Sequence, residues 1–160
     1  MSDAASIVKM IKDEEVAYVD IRFTDPRGKL QHVTVLEDQV DEDFLAEGFM
    51  FDGSSIAGWK SIDQSDMKLM PDLDTAYLDP FFAEKTLCLH CTVLEPDTHE
   101  IYERDPRGTA QKAEAYLKSS GIGDTSFWGP EAEFFVFDNV RYQVAMNKVA
   151  YEVDAIDAAW

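Results

Sequence analysis

The chain has 160 residues, with 14 basic and 32 acidic side chains and a formal charge of -18 when its three histidines are neutral. Such a surface repels phosphate backbones and anionic headgroups, which excludes a general nucleic-acid or anionic-membrane binder. The 46% apolar and 12% aromatic content is that of a globular chain, and the length sets an expectation of one domain, or one small domain plus part of another.

No stretch approaches the ~20 apolar residues of a membrane span, the densest run being Phe134-Phe135-Val136-Phe137. Met1-Ser2-Asp3-Ala4-Ala5 lacks the basic start and apolar stretch of a secretory signal, and the charges of Lys9, Lys12, Asp13 and Glu14 interrupt the next residues. A cytoplasmic address is therefore expected.

Ile7, Val8, Met10 and Ile11 recur at helical spacing after Ser2 and Asp3, which can accept the first free backbone amides. From Val16 to Thr24 the pattern alternates, with Ala17, Val19, Ile21 and Phe23 on one face and Tyr18, Asp20, Arg22 and Thr24 on the other. Asp25-Pro26-Arg27-Gly28 reads as a turn, and Leu30 to Leu36 returns with Val33 and Val35 on one side, completing a hairpin. Asp41 to Glu47 suits a short helix, with Asp41 as cap and Gly48 as terminator. Phe49 to Lys60 reads as a loop mixing large apolar and small residues, and strand-like pieces come next at Met67 to Met70 and Thr86 to Leu94. Helix, hairpin, helix and further strands make an α+β domain in which a sheet packs against few helices.

Cys88 and Cys91 form a C-x-x-C, which invites a zinc or redox reading. Their surroundings are rich in β-formers without Gly or Pro, however, and residues three apart on a strand face opposite sides. Two reduced structural thiols are expected.

Glu95 to Glu100 is polar and contains proline, which suggests a linker. Asp105 then caps a helix with Pro106 in its first position, Gly121 as terminator, and Ala110, Ala113, Tyr116 and Leu117 as a buried stripe. Ser126 to Trp128 and Ala132 to Phe137 read as strands, and Tyr142 to Val153 alternates loosely. One helix and three or four strands would leave a sheet face and an edge uncovered, so the second domain is expected to be incomplete here.

Two places could carry chemistry. On a strand, Glu131 and Glu133 would project to one face with backbone positions ~7 Å apart. Carboxylates among aromatics are costly to bury without a compensating cation, and two hard divalent ions of a phosphoryl-transfer site lie ~3.5 to 4 Å apart. Spacing leaves this metal reading open beside that of a solvated strand face. Asp52, in Phe51-Asp52-Gly53-Ser54-Ser55, is either an ordinary turn residue or a carboxylate placed to attract a small cation and act as a base. Trp59 reads as an anchor for this loop or a subunit contact. His32, His90 and His99 show no metal-ligand spacing, and no P-loop, Rossmann fingerprint, G-x-S-x-G elbow or HExxH occurs. An acidic Ca²⁺-binding protein is disfavoured because there is no EF-hand loop.

Phe51-Asp52-Gly53-Ser54-Ser55-Ile56, Asp66-Met67, Met70-Pro71-Asp72, Asp79-Pro80-Phe81, Arg104-Asp105-Pro106-Arg107 and Gly129-Pro130-Glu131-Ala132-Glu133-Phe134-Phe135, joined by Phe23-Thr24-Asp25 and Gln31-His32-Val33-Thr34, share one order and spacing with a known family. The chain resembles the N-terminal portion of bacterial type I glutamine synthetase. The resemblance implies an N-terminal β-grasp domain over residues 1–102, continued from 103 to 160 by the beginning of the catalytic α/β domain.

It also implies ATP-dependent amidation of glutamate by ammonia through a γ-glutamyl phosphate. Glu131 and Glu133 match metal-binding glutamates, one for each of two Mg²⁺ or Mn²⁺ ions; Asp52 matches the residue that binds and deprotonates ammonium, and Ser55 a neighbour in that site. The implied assembly is a dodecamer of two stacked hexamers, with the Asp52 loop completing the adjacent subunit's site. Alanine at 132 stands where proline is common, leaving both carboxylates in place. The remaining metal ligands, the phosphate-gripping arginines, most of the ATP pocket and the adenylylation tyrosine have no counterpart here, so the chain alone is expected to be inactive. The alternative is a non-catalytic β-grasp module that binds or assembles with full-length subunits.

Overall fold

The computed structural model describes residues 2–159. Helix α1, Ala4–Asp13, starts as its sequence requires: Asp3 accepts the Ser6 amide at 2.8 Å while the Ser6 hydroxyl receives the Asp3 amide at 3.1 Å. Its Ile7 and Ile11 are buried. Strands β1, Tyr18–Thr24, and β2, Leu30–Leu36, form the expected antiparallel hairpin, with Ile21 opposite Val33. At the turn Asp25 accepts the amides of Arg27 and Lys29, both at 2.9 Å.

Helix α2, Glu42–Glu47, is capped by Asp41 through the Phe44 amide and closed by Gly48 at φ 81. Where a loop is expected from Phe49, the structure instead has strand β3, Phe49–Asp52, paired with β4, Asp66–Pro71. Phe49 and Phe51 turn toward the core while Met50 and Asp52 are exposed, which accounts for part of the apolar character of that segment. The short β5, Tyr77–Leu78, and the long β6, Thr86–Leu94, complete the sheet.

The strand order is β2-β1-β6-β4-β3, with β5 also on β6. The β1–β6 pair is parallel and the others antiparallel. Central β6 is buried along nearly its whole length. Val19, Ile21, Phe23, Met67, Leu69, Leu87, Leu89 and Val93 pack with Ile7, Ile11 and Leu45 from the helices. Cys88 and Cys91 are free, buried and on opposite faces of β6, and burial pushes both thiols up. The expected α+β sheet-and-helix domain is thus present.

The segment expected as a linker is a tight turn: Glu95 donates its amide to Glu100 at 2.9 Å, and Tyr102 donates to Val93 at 2.9 Å. Helix α3, Pro106–Ser120, comes next, with Asp105 as cap and Gly121 in the left-handed region. Its expected buried stripe is exposed except for half-buried Leu117. The helix seats instead through its first turn, where Gly108 meets Ile101 and Gln111 reaches Thr92 of β6 at 3.2 Å.

Residues through Thr125 form one compact unit and those from Ser126 a second. In the second, the strands expected over 126–137 are absent, because no neighbouring strand satisfies their backbone hydrogen bonds. Beyond them lies a two-stranded hairpin, β7 at Asn139–Ala145 and β8 at Lys148–Asp154, with Tyr142 opposite Tyr151.

Candidate active site

Asp52 ends β3, directly opposite Asp66 of β4, with its side chain exposed. Its Oδ1 accepts the Ser54 hydroxyl at 2.6 Å and the Ser54 amide at 2.9 Å. These bonds, hydroxyl first, hold the carboxyl below the usual aspartate range, so it is anionic over ordinary pH. Gly53 donates its amide to Ser65 at 2.7 Å, and a Cβ there would lie 2.4 Å from Met67 Cγ. Only glycine lets the turn sit this close to β4.

Ser55 is exposed in the 3₁₀ turn Gly53–Ser55. Trp59 is the loop's anchor, with ring centroids 5.5 Å from Phe23 and Tyr102 and 5.9 Å from Phe51. Packing thus holds the Asp52 turn from both ends while leaving its carboxylate in solvent.

Glu131 and Glu133 are exposed and lie in an irregular segment of the second unit, so the expectation that a strand holds them on one face is not met. They are hard oxygen donors, which suits Mg²⁺ or Mn²⁺. Among the described residues no group of three or more His, Cys, Asp or Glu side chains converges to hold a metal, so the two glutamates by themselves do not make a closed metal site. They would hold such an ion together with ligands from elsewhere.

Sequence patterning does not reveal a charged network on the outward face of β1. Asp20 accepts Arg22 Nε at 2.7 Å and the Thr34 hydroxyl at 2.7 Å, with His32 Nδ1 at 2.8 Å. Arg22 continues to Tyr77 at 2.5 Å and Asp79 at 2.8 Å. Burial alone would raise the Asp20 carboxyl, but the bonds from Arg22, Thr34 and His32 outweigh it and hold it below its ordinary value. The hairpin register contains the signal, since it sets Arg22 opposite His32 and Asp20 opposite Thr34.

Residues 15–96 match the family described as glutamine synthetase, beta-Grasp domain, and residues 103–159 match glutamine synthetase, catalytic domain. The glutamine synthetase of Cereibacter sphaeroides is 72% identical over 160 residues, covering 100% of this chain and 34% of that protein. The glutamine synthetase of Escherichia coli (strain K12) is 52% identical over 157 residues, 98% of this chain and 34% of that protein. The chain spans about a third of the length of these curated relatives. Among solved structures, the cryo-EM glutamine synthetase of Plasmodium falciparum superposes with a TM-score of 0.73 at 24% identity, over 96% of this chain and 30% of that one, a likeness of fold. A β-grasp sheet continued by the start of a catalytic domain, matched in order across nearly the whole length, places this chain in the glutamine synthetase family.

Proposed function

We propose that the chain forms part of an ATP-dependent glutamate–ammonia ligase that makes glutamine through a γ-glutamyl phosphate. The observation that carries this reading is 72% identity to a glutamine synthetase along every residue of the chain. In this reading residues 1–102 are the β-grasp domain and residues 103–160 begin the catalytic domain. Asp52 recruits ammonium and takes its proton, with Ser55 beside it. Glu131 and Glu133 each contribute to one of two Mg²⁺ or Mn²⁺ ions. The family's dodecamer would bring the Asp52 turn to a neighbouring subunit's site, and the enzyme would work in the cytoplasm with ATP, glutamate and ammonium.

The local chemistry fits. A carboxylate kept anionic by Ser54 attracts NH₄⁺ and disfavours anions, and its exposed position lets it complete a site from outside its own unit. Bound divalent ions would supply neutralisation of the charge on the transferred phosphoryl group. Two glutamates cannot fill two octahedral shells, so the chain by itself is expected to be inactive.

The test joins residues 1–160 to the remaining two thirds of the Cereibacter sphaeroides relative. The chimera is expected to form glutamine with strict need for ATP and ammonium. Asp52→Asn should cost on the order of 10² to 10⁴ in rate, the range of a lost general base. Glu131→Gln and Glu133→Gln should each raise the Mn²⁺ concentration needed for activity. A chimera that folds and assembles yet forms no glutamine would overturn the enzymatic reading in favour of a non-catalytic assembly module.

A further inference from the structure

The network around Asp20 lies beneath a groove that the proposed reaction does not use. Two adjoining cavities of about 330 and 250 Å³ share Asp20, His32 and Phe82 as lining. The larger of the two is at the lower end of the size of small-molecule sites. Tyr18 and Phe82 line the groove, and Phe82 is half exposed. We infer that this groove on the outer face of the β1–β2 hairpin binds a small organic ammonium ion that has an aromatic or similarly flat apolar body and no carboxylate.

The polar floor selects that chemistry. Asp20 is 1% exposed and surrounded by donors, so it is the acceptor and His32 Nδ1 must carry the hydrogen between them. In the neutral ring this leaves His32 Nε2 as an acceptor, and Nε2 makes no hydrogen bond among the described residues. An ammonium N–H is the complementary donor. Arg22 lines the smaller cavity, but its charge is matched there by two carboxylates, Asp20 and Asp79. Glu84, on the rim, forms no ion pair among the described residues, and the whole chain carries -18. The local field therefore favours a cation and repels a carboxylate, and the aromatic side chains of Tyr18 and Phe82 in the lining suit an apolar or cationic body.

The probe is 2-phenylethylammonium, titrated at pH 8 into the isotopically labelled 160-residue chain and followed by NMR, with 2-phenylethanol and L-phenylalanine as comparisons. Saturable shifts are expected at Tyr18, His32, Thr34 and Phe82 to Thr86, with binding of the alcohol about tenfold weaker and the amino acid silent. Phe82→Ala should weaken the amine about tenfold and Glu84→Gln about threefold. Both positions are exposed, and unchanged amide signals in β4 and β6 will show that the variants fold. Absence of saturable shifts overturns the inference. So does equal binding of the alcohol, which would reduce the groove to an apolar dock, or indifference to Phe82→Ala, which would place the amine elsewhere.

Discussion

The amide of Val93 on β6 donates to Oδ2 of Asp105 at 3.2 Å, and the same oxygen accepts the Gly108 amide in the first turn of α3 at 3.0 Å. One buried carboxylate thus ties the central strand to the helix. Burial raises its proton affinity, and the bonds from Val93, Gly108 and Arg107 only partly oppose this. A raised carboxyl value means the charged form costs stability in the fold: its contribution is greatest below the unfolded value and is lost as pH rises through the folded one. Asp105→Ala should cost about 2 to 3 kcal/mol, from lost capping and an orphaned Val93 amide. Asp105→Asn keeps an accepting oxygen without the charge and should stay within about 1 kcal/mol of the parent at pH 7. Urea midpoints of the two variants check this.

Arg22 is held between Asp20 and Asp79 with little exposure. Arg22→Met would leave carboxylates buried without their cation and should cost about 3 to 5 kcal/mol. Arg22→Lys keeps the charge but cannot bond Asp20, Asp79 and Tyr77 at once, so it should recover less than half of that loss. Chemical denaturation of both variants measures the difference.

Acid should unfold the first unit through this network. The Asp20 carboxyl is lowered because its hydrogen bonds outweigh burial, and that of Asp79 because the Phe81 amide and Arg22 bind it. Lowered values stabilise above the ordinary aspartate value of 3.8, and the contribution is lost as pH falls through the folded values. Thermal midpoints should therefore drop steeply below about pH 4, and Asp79→Asn should lower the neutral-pH midpoint while flattening that drop.

Gly53→Ala would set a methyl 2.4 Å from Met67 Cγ and 3.1 Å from the Ser65 carbonyl. The turn must then lift from β4, at about 1 to 3 kcal/mol. The Asp52 and Ser54 amide signals should move strongly while those of β1 stay in place. Gly129→Ala, whose added Cβ meets nothing within 4 Å, serves as the neutral comparison.

Both cysteines are buried, and burial pushes each thiol away from the reactive thiolate. A chromogenic disulfide reagent should leave the native chain unlabelled for hours and label both thiols promptly in denaturant. Rapid native labelling of either would mean that β6 opens far more readily than its central place in the sheet allows.

The features legible in the sequence are those that neighbours along the chain decide. Asp3, Asp41 and Asp105 are legible as caps because a cap bonds amides two or three residues on. The β1–β2 hairpin is legible because its turn chemistry lies between its strands. β3 is hidden because pairing with residues 66–69, beyond a long loop, is what makes Phe49–Asp52 a strand. Alternation along β1 identifies the face that bears Asp20 and Arg22, but not that β5 and the loop after it cover that face. The reverse error falls on 126–137, where aromatic composition suggests strands that no neighbour supports. For the candidate site, the resemblance draws attention to Asp52, and local chemistry explains its charge through Ser54. Spacing suggests that a strand holds Glu131 and Glu133 on one face, whereas both lie exposed in an irregular segment.

The parallel pairing of β1 with β6 sets Tyr18 beside Thr86 and Arg22 beside His90. The first sheet cannot be finished until the long loop between these strands closes, which places much of the entropic cost early in folding. During synthesis, the β1–β2 hairpin must therefore wait with one edge open until β6 has left the ribosome. Over that interval the nascent chain is most exposed to mispairing, and its many carboxylates then act as solubilising charge.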